Sequence, residues 1–164
     1  MRRDICDTKD CLGGAMLSAE ARAQRLVRIF SRTGGEGPST REFGHFPEDV
    51  RTRLVESASV HAGELPVIAF CRSPGEWLLV TTERVVLDRG HGVTSIRWEE
   101  VEDATTDAAH VGVALGSGAQ GKLALSWLRI QRRTGEDIVM EVESGPAFFG
   151  LWNVLKTVAA LRKA

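Results

Sequence analysis

The stretch with the most chemical content by spacing is Gly116-Ser117-Gly118-Ala119-Gln120-Gly121. It reads G-x-G-x-x-G, follows the apolar run Val111 to Leu115, and has Glu141 about 20 residues on, where a dinucleotide site places its ribose-binding acid. In that chemistry the glycines let the backbone approach a pyrophosphate, and the N-terminus of the next helix meets its negative charge. This alternative makes the chain a nucleotide-dependent enzyme, and it demands a strand before the loop and a helix over Lys122 to Thr134. The remaining candidates are weaker. His45, His61, His91 and His110 show no metal-ligand spacing, and Cys6, Cys11 and Cys71 are an odd number with no histidine near the first two, so reduced thiols are expected. Ser117 lacks the G-x-S-x-G frame of an activated nucleophile. Glu99, Glu100, Glu102 and Asp103 bunch their charge, which suits a solvated turn and strand edge better than an acid–base pair. Arg22, Arg25, Arg28 and Arg32 recur at helical spacing, a stripe that suits either phosphates on a lipid or nucleic acid, or plain solvation of a helix face. The pattern assigns no catalytic residue, no metal and no cofactor beyond the glycine-loop alternative.

The elements that must position these residues argue against the dinucleotide reading. Trp77 to Thr81 and Arg84 to Leu87 are apolar, aromatic and β-branched runs separated by Thr82-Glu83, which reads as a β-hairpin bounded by Pro74-Gly75 and by Asp88 to Gly92. Its turn lacks Asn-Gly or Asp-Gly, so the turn type stays open. Val67 to Cys71 precedes it as a strand. Val93 to Trp98, Val101 to Asp107, Leu123 to Gln131 and Ile138 to Glu143 follow as four more, with Gly135 in the last hairpin loop. After Ser144-Gly145-Pro146 the period becomes helical, with Phe148, Leu151, Trp152, Leu155, Val158 and Leu161 on one side and Arg162 and Lys163 at the end. Consecutive antiparallel strands closed by one helix are not the parallel βαβ units a dinucleotide fold needs. Residues 116–121 are therefore expected as a glycine-rich loop between strands. Trp77, Trp98, Trp127 and Trp152 are expected in the core.

Residues 1–17 have no periodicity and are expected as a disordered leader, or as sequence preceding a start at Met16. Ser18 is a candidate N-cap for a helix from Ala19 to Arg32 with Ala19, Ala23, Leu26 and Phe30 on one face. Thr33 to Gly44 is a glycine-rich linker by composition, and Pro47 opens a second helix to Ala58 with Val50, Leu54, Val55 and Ala58 inward. Residues 18–62 are thus expected as a helical extension and 63–164 as the main domain. At 164 residues, 43% apolar and 26% charged, the chain has room for one core. Its formal net charge of −1 gives no broad drive toward nucleic acid. No stretch approaches the length of a membrane span and the first residues are too polar for a signal peptide, so a cytoplasmic protein is expected.

The lead-in Gly63-Glu64, the hairpin Leu79-Val80-Thr81-Thr82-Glu83-Arg84, the segment Ile96-Arg97-Trp98-Glu99-Glu100-Val101 and the closing helix together resemble the bacterial pleckstrin-homology-like domains over about Gly63 to Ala164. The resemblance implies a mainly β, α+β fold: a partly open barrel of about seven antiparallel strands in two near-orthogonal sheets, capped by the C-terminal helix. Lipid-binding members of the wider family carry basic residues in the loop joining the first two strands. Here that candidate ligand loop has Arg72 and Ser73 but only one arginine beside Glu76. A non-enzymatic interaction or assembly module is therefore expected, with an anionic membrane surface as the alternative partner. Each short helix must bury its apolar stripe, and the glycine-rich linker has the reach to place the first on a neighbour. The expectation is a homo-oligomer, a dimer, with Leu26 and Phe30 at the subunit contact, or binding to another protein.

Overall fold

The apolar hairpin is buried on both faces, which accounts for its lack of polar alternation. In the computed structural model, which describes residues 16–116, 121 and 123–161, Leu78, Val80, Val85 and Leu87 point into one core while Trp77, Leu79 and Val86 point into another. The elements around it, in chain order, are α1 (Ala19–Thr33), β1 (Thr40–Glu42), α2 (Glu48–Ala58), β2 (Pro66–Ser73), β3 (Glu76–Thr81), β4 (Arg84–Arg89), β5 (Val93–Arg97), β6 (Val101–Thr106), α3 (Ala108–Leu115), β7 (Trp127–Arg132), β8 (Ile138–Glu141) and α4 (Pro146–Leu161). The leader expected at residues 1–17, apart from Met16 and Leu17, lies outside the described residues, as do Ser117 to Gln120 and the basic end Arg162-Lys163. No described helix is long and apolar enough to cross a membrane.

The fold is α+β, with two antiparallel sheets ordered β1-β2-β3-β4-β5 and β6-β7-β8 and a C-terminal helix. Eight strands are described where about seven were expected, and among the described residues no strand pairing joins the two sheets into a closed barrel. The chain passes from one sheet to the other through a single 3-10 turn, Trp98–Glu100, whose indole is buried. The larger core lies between the sheets under α1 and α4; the smaller lies on the other face of the five-stranded sheet, where α2 contributes Leu54 and Ala58 against Trp77 and Leu79.

Three element assignments differ from the sequence readings. The glycine-rich linker contains β1, in the register Thr40↔Phe70 and Glu42↔Ile68, because the free edge of β2 offers backbone partners that composition does not reveal. Val111 to Leu115, which only the dinucleotide alternative required as a strand, lies in α3, since a short apolar run has no period that distinguishes the two states. The strand expected from Leu123 begins at Trp127.

Within residues 18–62, α1 and α2 supply side chains to the two cores. Leu26 and Phe30, expected at a subunit contact, are 6% and 0% exposed and lie within the chain's own core. A close helix crossing makes this possible. Gly34 and Gly150 lie where α1 meets α4; a Cβ on Gly150 would stand 2.8 Å from the Phe30 ring, and one on Gly34 would overlap the Pro146 carbonyl oxygen. In α4, Phe148, Leu151 and Leu155 are buried as expected, while Trp152 is half-buried with its indole N–H donating to the Ala104 carbonyl at 2.8 Å, and Leu161 is exposed. Trp127 is also only half-buried.

Candidate functional site

The β3–β4 turn supplies the floor of the candidate site, and Thr81 sets its geometry. The Thr81 hydroxyl accepts from the N–H groups of Glu83 and Arg84 at 3.1 and 3.0 Å, a side-chain turn that replaces the missing Asn-Gly. The same hydroxyl donates to Glu64 Oε1 at 2.6 Å. Glu64, with a side chain 0% exposed, also accepts from the His61 N–H at 3.0 Å and from Arg84 Nε and Nη2 at 2.8 and 3.1 Å. Burial pushes its carboxyl up, but the Arg84 hydrogen bonds, the His61 and Thr81 donors and the Arg84 charge outweigh it and hold the carboxyl at about 2. Arg84 has further work. Nη2 donates to the Ala58 and Ser59 carbonyls at 3.0 and 2.9 Å, closing α2 where Ser59 turns left-handed at φ 49°, and Nη1 donates to Ser95 Oγ at 3.0 Å. The Trp98 indole N–H completes the node by donating to the Thr81 carbonyl at 3.2 Å.

Against this node α1 and α4 leave two adjoining cavities. One, of about 250 Å³, is polar and lined by Arg22, His61, Glu83, Arg84, Arg97 and Glu99. The other, of about 150 Å³, is lined by Leu17, Leu26, Thr82, Trp98, Val158 and Leu161 together with Arg22 and Arg25. Arg22 is common to both. Its Nε is buried without an acceptor, and among the described residues no carboxylate lies within ion-pair distance of Arg22, Arg25, Arg28 or Arg32. Arg25, Arg28 and Arg32 are exposed, and the first two and the last line a broad depression along α1. The arginine stripe seen in the sequence is therefore an outward cationic face whose inner edge reaches an apolar slot.

The other candidate residues fall elsewhere. Arg72 lies in β2, next to the two-residue turn Pro74-Gly75; its Nη1 is 2.7 Å from Glu76 and 3.6 Å from Glu141, and its guanidinium sits over Phe70. Its charge is already matched. Ser73, the neighbouring candidate, is exposed and its carbonyl accepts a weak contact from the Cys71 thiol at 3.7 Å. The dinucleotide alternative loses its frame: Gly116 follows helix α3 where a strand is required, and strand β7 stands where a helix is required. Glu100, Glu102 and Asp103 each meet a cation, from Arg132, Arg133 and Lys156.

Sequence reasoning missed a second ionic node. Asp107, 4% exposed, accepts from Arg129 Nη2 and pairs with His110 Nδ1, both at 2.5 Å, while the imidazole stacks on Trp127 with centroids 4.1 Å apart. Arg129 first and His110 second hold the Asp107 carboxyl below its ordinary range. An aspartate on Nδ1 is the orienting half of a general base. Among the described residues no hydroxyl or thiol hydrogen-bonds His110, and the Asp107 carbonyl accepts from the His110 and Val111 N–H groups, so the node fastens the start of α3 onto β7. Only the three-residue spacing of Asp107 and His110 was visible beforehand. Compared with known proteins, the chain matches no family model, no curated protein and no solved structure.

Proposed function

We propose that the chain is a non-enzymatic interaction module of the pleckstrin-homology-like kind, which binds an anionic partner at the end of the fold where α1 meets α4 and the β3–β4 turn. The observation that carries this reading is the contrast in ionic pairing. The nodes at Glu64 and Asp107 are closed on themselves, whereas among the described residues no carboxylate pairs with the four arginines on one face of α1, and two of them, Arg22 and Arg25, line the apolar slot. Because α1 is packed into the core through Leu26 and Phe30, it serves as a rigid platform for those arginines. The same face bears on the choice of partner. Two copies joined through α1 across a two-fold axis would set like charge against like, so an acidic surface is favoured over a symmetric α1–α1 contact.

A polyanion separates this reading from a merely solvated helix. Although its formal net charge is −1, the protein should be retained on a heparin resin at about 50 mM salt and released as salt rises. Arg25, Arg28 and Arg32 replaced together by Glu should leave the thermal midpoint within a few degrees and abolish retention. Flow-through of the wild-type chain, or equal retention of the triple variant, would remove α1 as the binding face.

A further inference from the structure

We infer that the slot beneath Arg22 and Arg25 binds a single-chain anionic amphiphile, an alkyl group ending in a carboxylate or phosphate. The inference rests on the binding end assigned above and adds the chemistry of its ligand. The walls contributed by Leu26, Trp98, Val158 and Leu161 offer hydrocarbon, aromatic and aliphatic surface in a cavity of about 150 Å³, which suits an alkyl segment and gives an inorganic anion nothing to displace. The outer rim is apolar, with Leu17 53% and Leu161 46% exposed, so an alkyl chain would also cover surface that the other described residues do not.

The head group follows from the cations. Arg22 and Arg25 are the charged residues of the slot, neither has a carboxylate partner among the described residues, and the Arg22 Nε is buried without an acceptor. A buried guanidinium N–H without an acceptor is costly, and a bidentate carboxylate or phosphate relieves that cost. The neighbouring polar cavity limits how much negative charge fits. Arg84 there is committed to Glu64, Arg97 lies 3.9 Å from Glu99, and Glu83 adds a further carboxylate, so beyond Arg22 the cavity offers no uncommitted arginine for a ligand with several phosphates. One charge on one chain is the pattern that both cavities accept.

Calorimetry on the full chain with octanoate, decanoate and dodecanoate, each below its micelle concentration, tests this. One saturable site is expected, tightening with each added methylene until the slot is full, by up to about fourfold per CH₂. Decanol should bind at least about tenfold more weakly than decanoate. Arg22→Gln with Arg25→Gln should weaken decanoate at least about tenfold and leave decanol unchanged, with the thermal midpoint preserved. Leu161→Asp, at an exposed position, should weaken both ligands. Absence of saturable heat at millimolar decanoate, an unaltered affinity in the double arginine variant, or binding confined to micelles would overturn the inference. Sedimentation with phosphatidylglycerol vesicles but no binding of monomeric carboxylate would overturn it too, in favour of a membrane contact. If the carboxylates fail while heparin retention survives, the interaction module stands without this ligand; if both fail, neither stands.

Discussion

Arg84→Ala should destabilise the protein by about 3–5 kcal/mol, the range for leaving one member of a buried ion pair without its partner. The Glu64 side chain is fully buried, and removing Arg84 strips it of its charge partner and two hydrogen bonds while freeing the Ala58 and Ser59 carbonyls at the end of α2. The effect has a pH signature. Glu64 titrates at about 2 in the fold against an ordinary 4.5, so its contribution is fully present above pH 4.5 and is lost as pH falls toward 2. On the scale of 1.36 kcal/mol per pH unit this amounts to about 3 kcal/mol in the wild-type chain. Urea unfolding at pH 7 and at pH 3 should therefore show a large gap between wild type and Arg84→Ala at pH 7 and a smaller one at pH 3. A difference that stays constant with pH would mean that the pair does not hold Glu64 ionised. Glu64→Leu with Arg84→Met, which removes both charges, should cost less than Arg84→Ala alone.

Phe30→Ala should cost about 3–5 kcal/mol, as for deletion of a fully buried aromatic ring. Most of that loss reports the docking of α1 on α4, because the ring lies against Gly150. Gly34→Ala tests the same crossing from the opposite side. Its new Cβ would meet the Pro146 carbonyl and the Gly150 nitrogen, backbone atoms that no rotamer change can move, so the helices must separate at a cost of about 1–3 kcal/mol or more. Gly150→Ala should be less harmful in the Phe30→Ala background than in the wild type, since the ring it strikes is gone. Guanidinium unfolding of the four variants measures these terms, and an unchanged midpoint in Phe30→Ala would show that α1 is not docked as described.

How far the sequence could be read depended on whether a feature is local. The hairpin was legible from Trp77 to Leu87 because its residues carry strand propensity in themselves, and the closing helix because Phe148, Leu151 and Leu155 keep one period. β1 was not, as Thr40–Glu42 is a strand only through its pairing with β2 and sits among glycines and Pro38 that signal a loop. The stripe of Leu26 and Phe30 said that α1 must cover something, but an apolar stripe does not state whose core it enters; Gly34 and Gly150, 116 residues apart, decide that by letting the two helices touch. At the candidate site the arginine stripe was plain from its spacing. The Glu64–Arg84 node was not, because no motif joins a loop residue to a strand residue 20 positions later until the hairpin folds. The expected resemblance to the pleckstrin-homology-like domains directed attention to Arg72 and Ser73, where the one arginine is neutralised by Glu76 and Glu141.

Amide and indole NMR shifts of the full chain, followed during titration with decanoate, separate binding at the α1 end from binding at the β2–β3 turn. Changes are expected on Arg22 to Leu26, Thr82, the Trp98 indole N–H and Val158 to Leu161. Changes gathered instead on Arg72 to Glu76, with the α1 end silent, would place the ligand at the other turn and overturn the proposal.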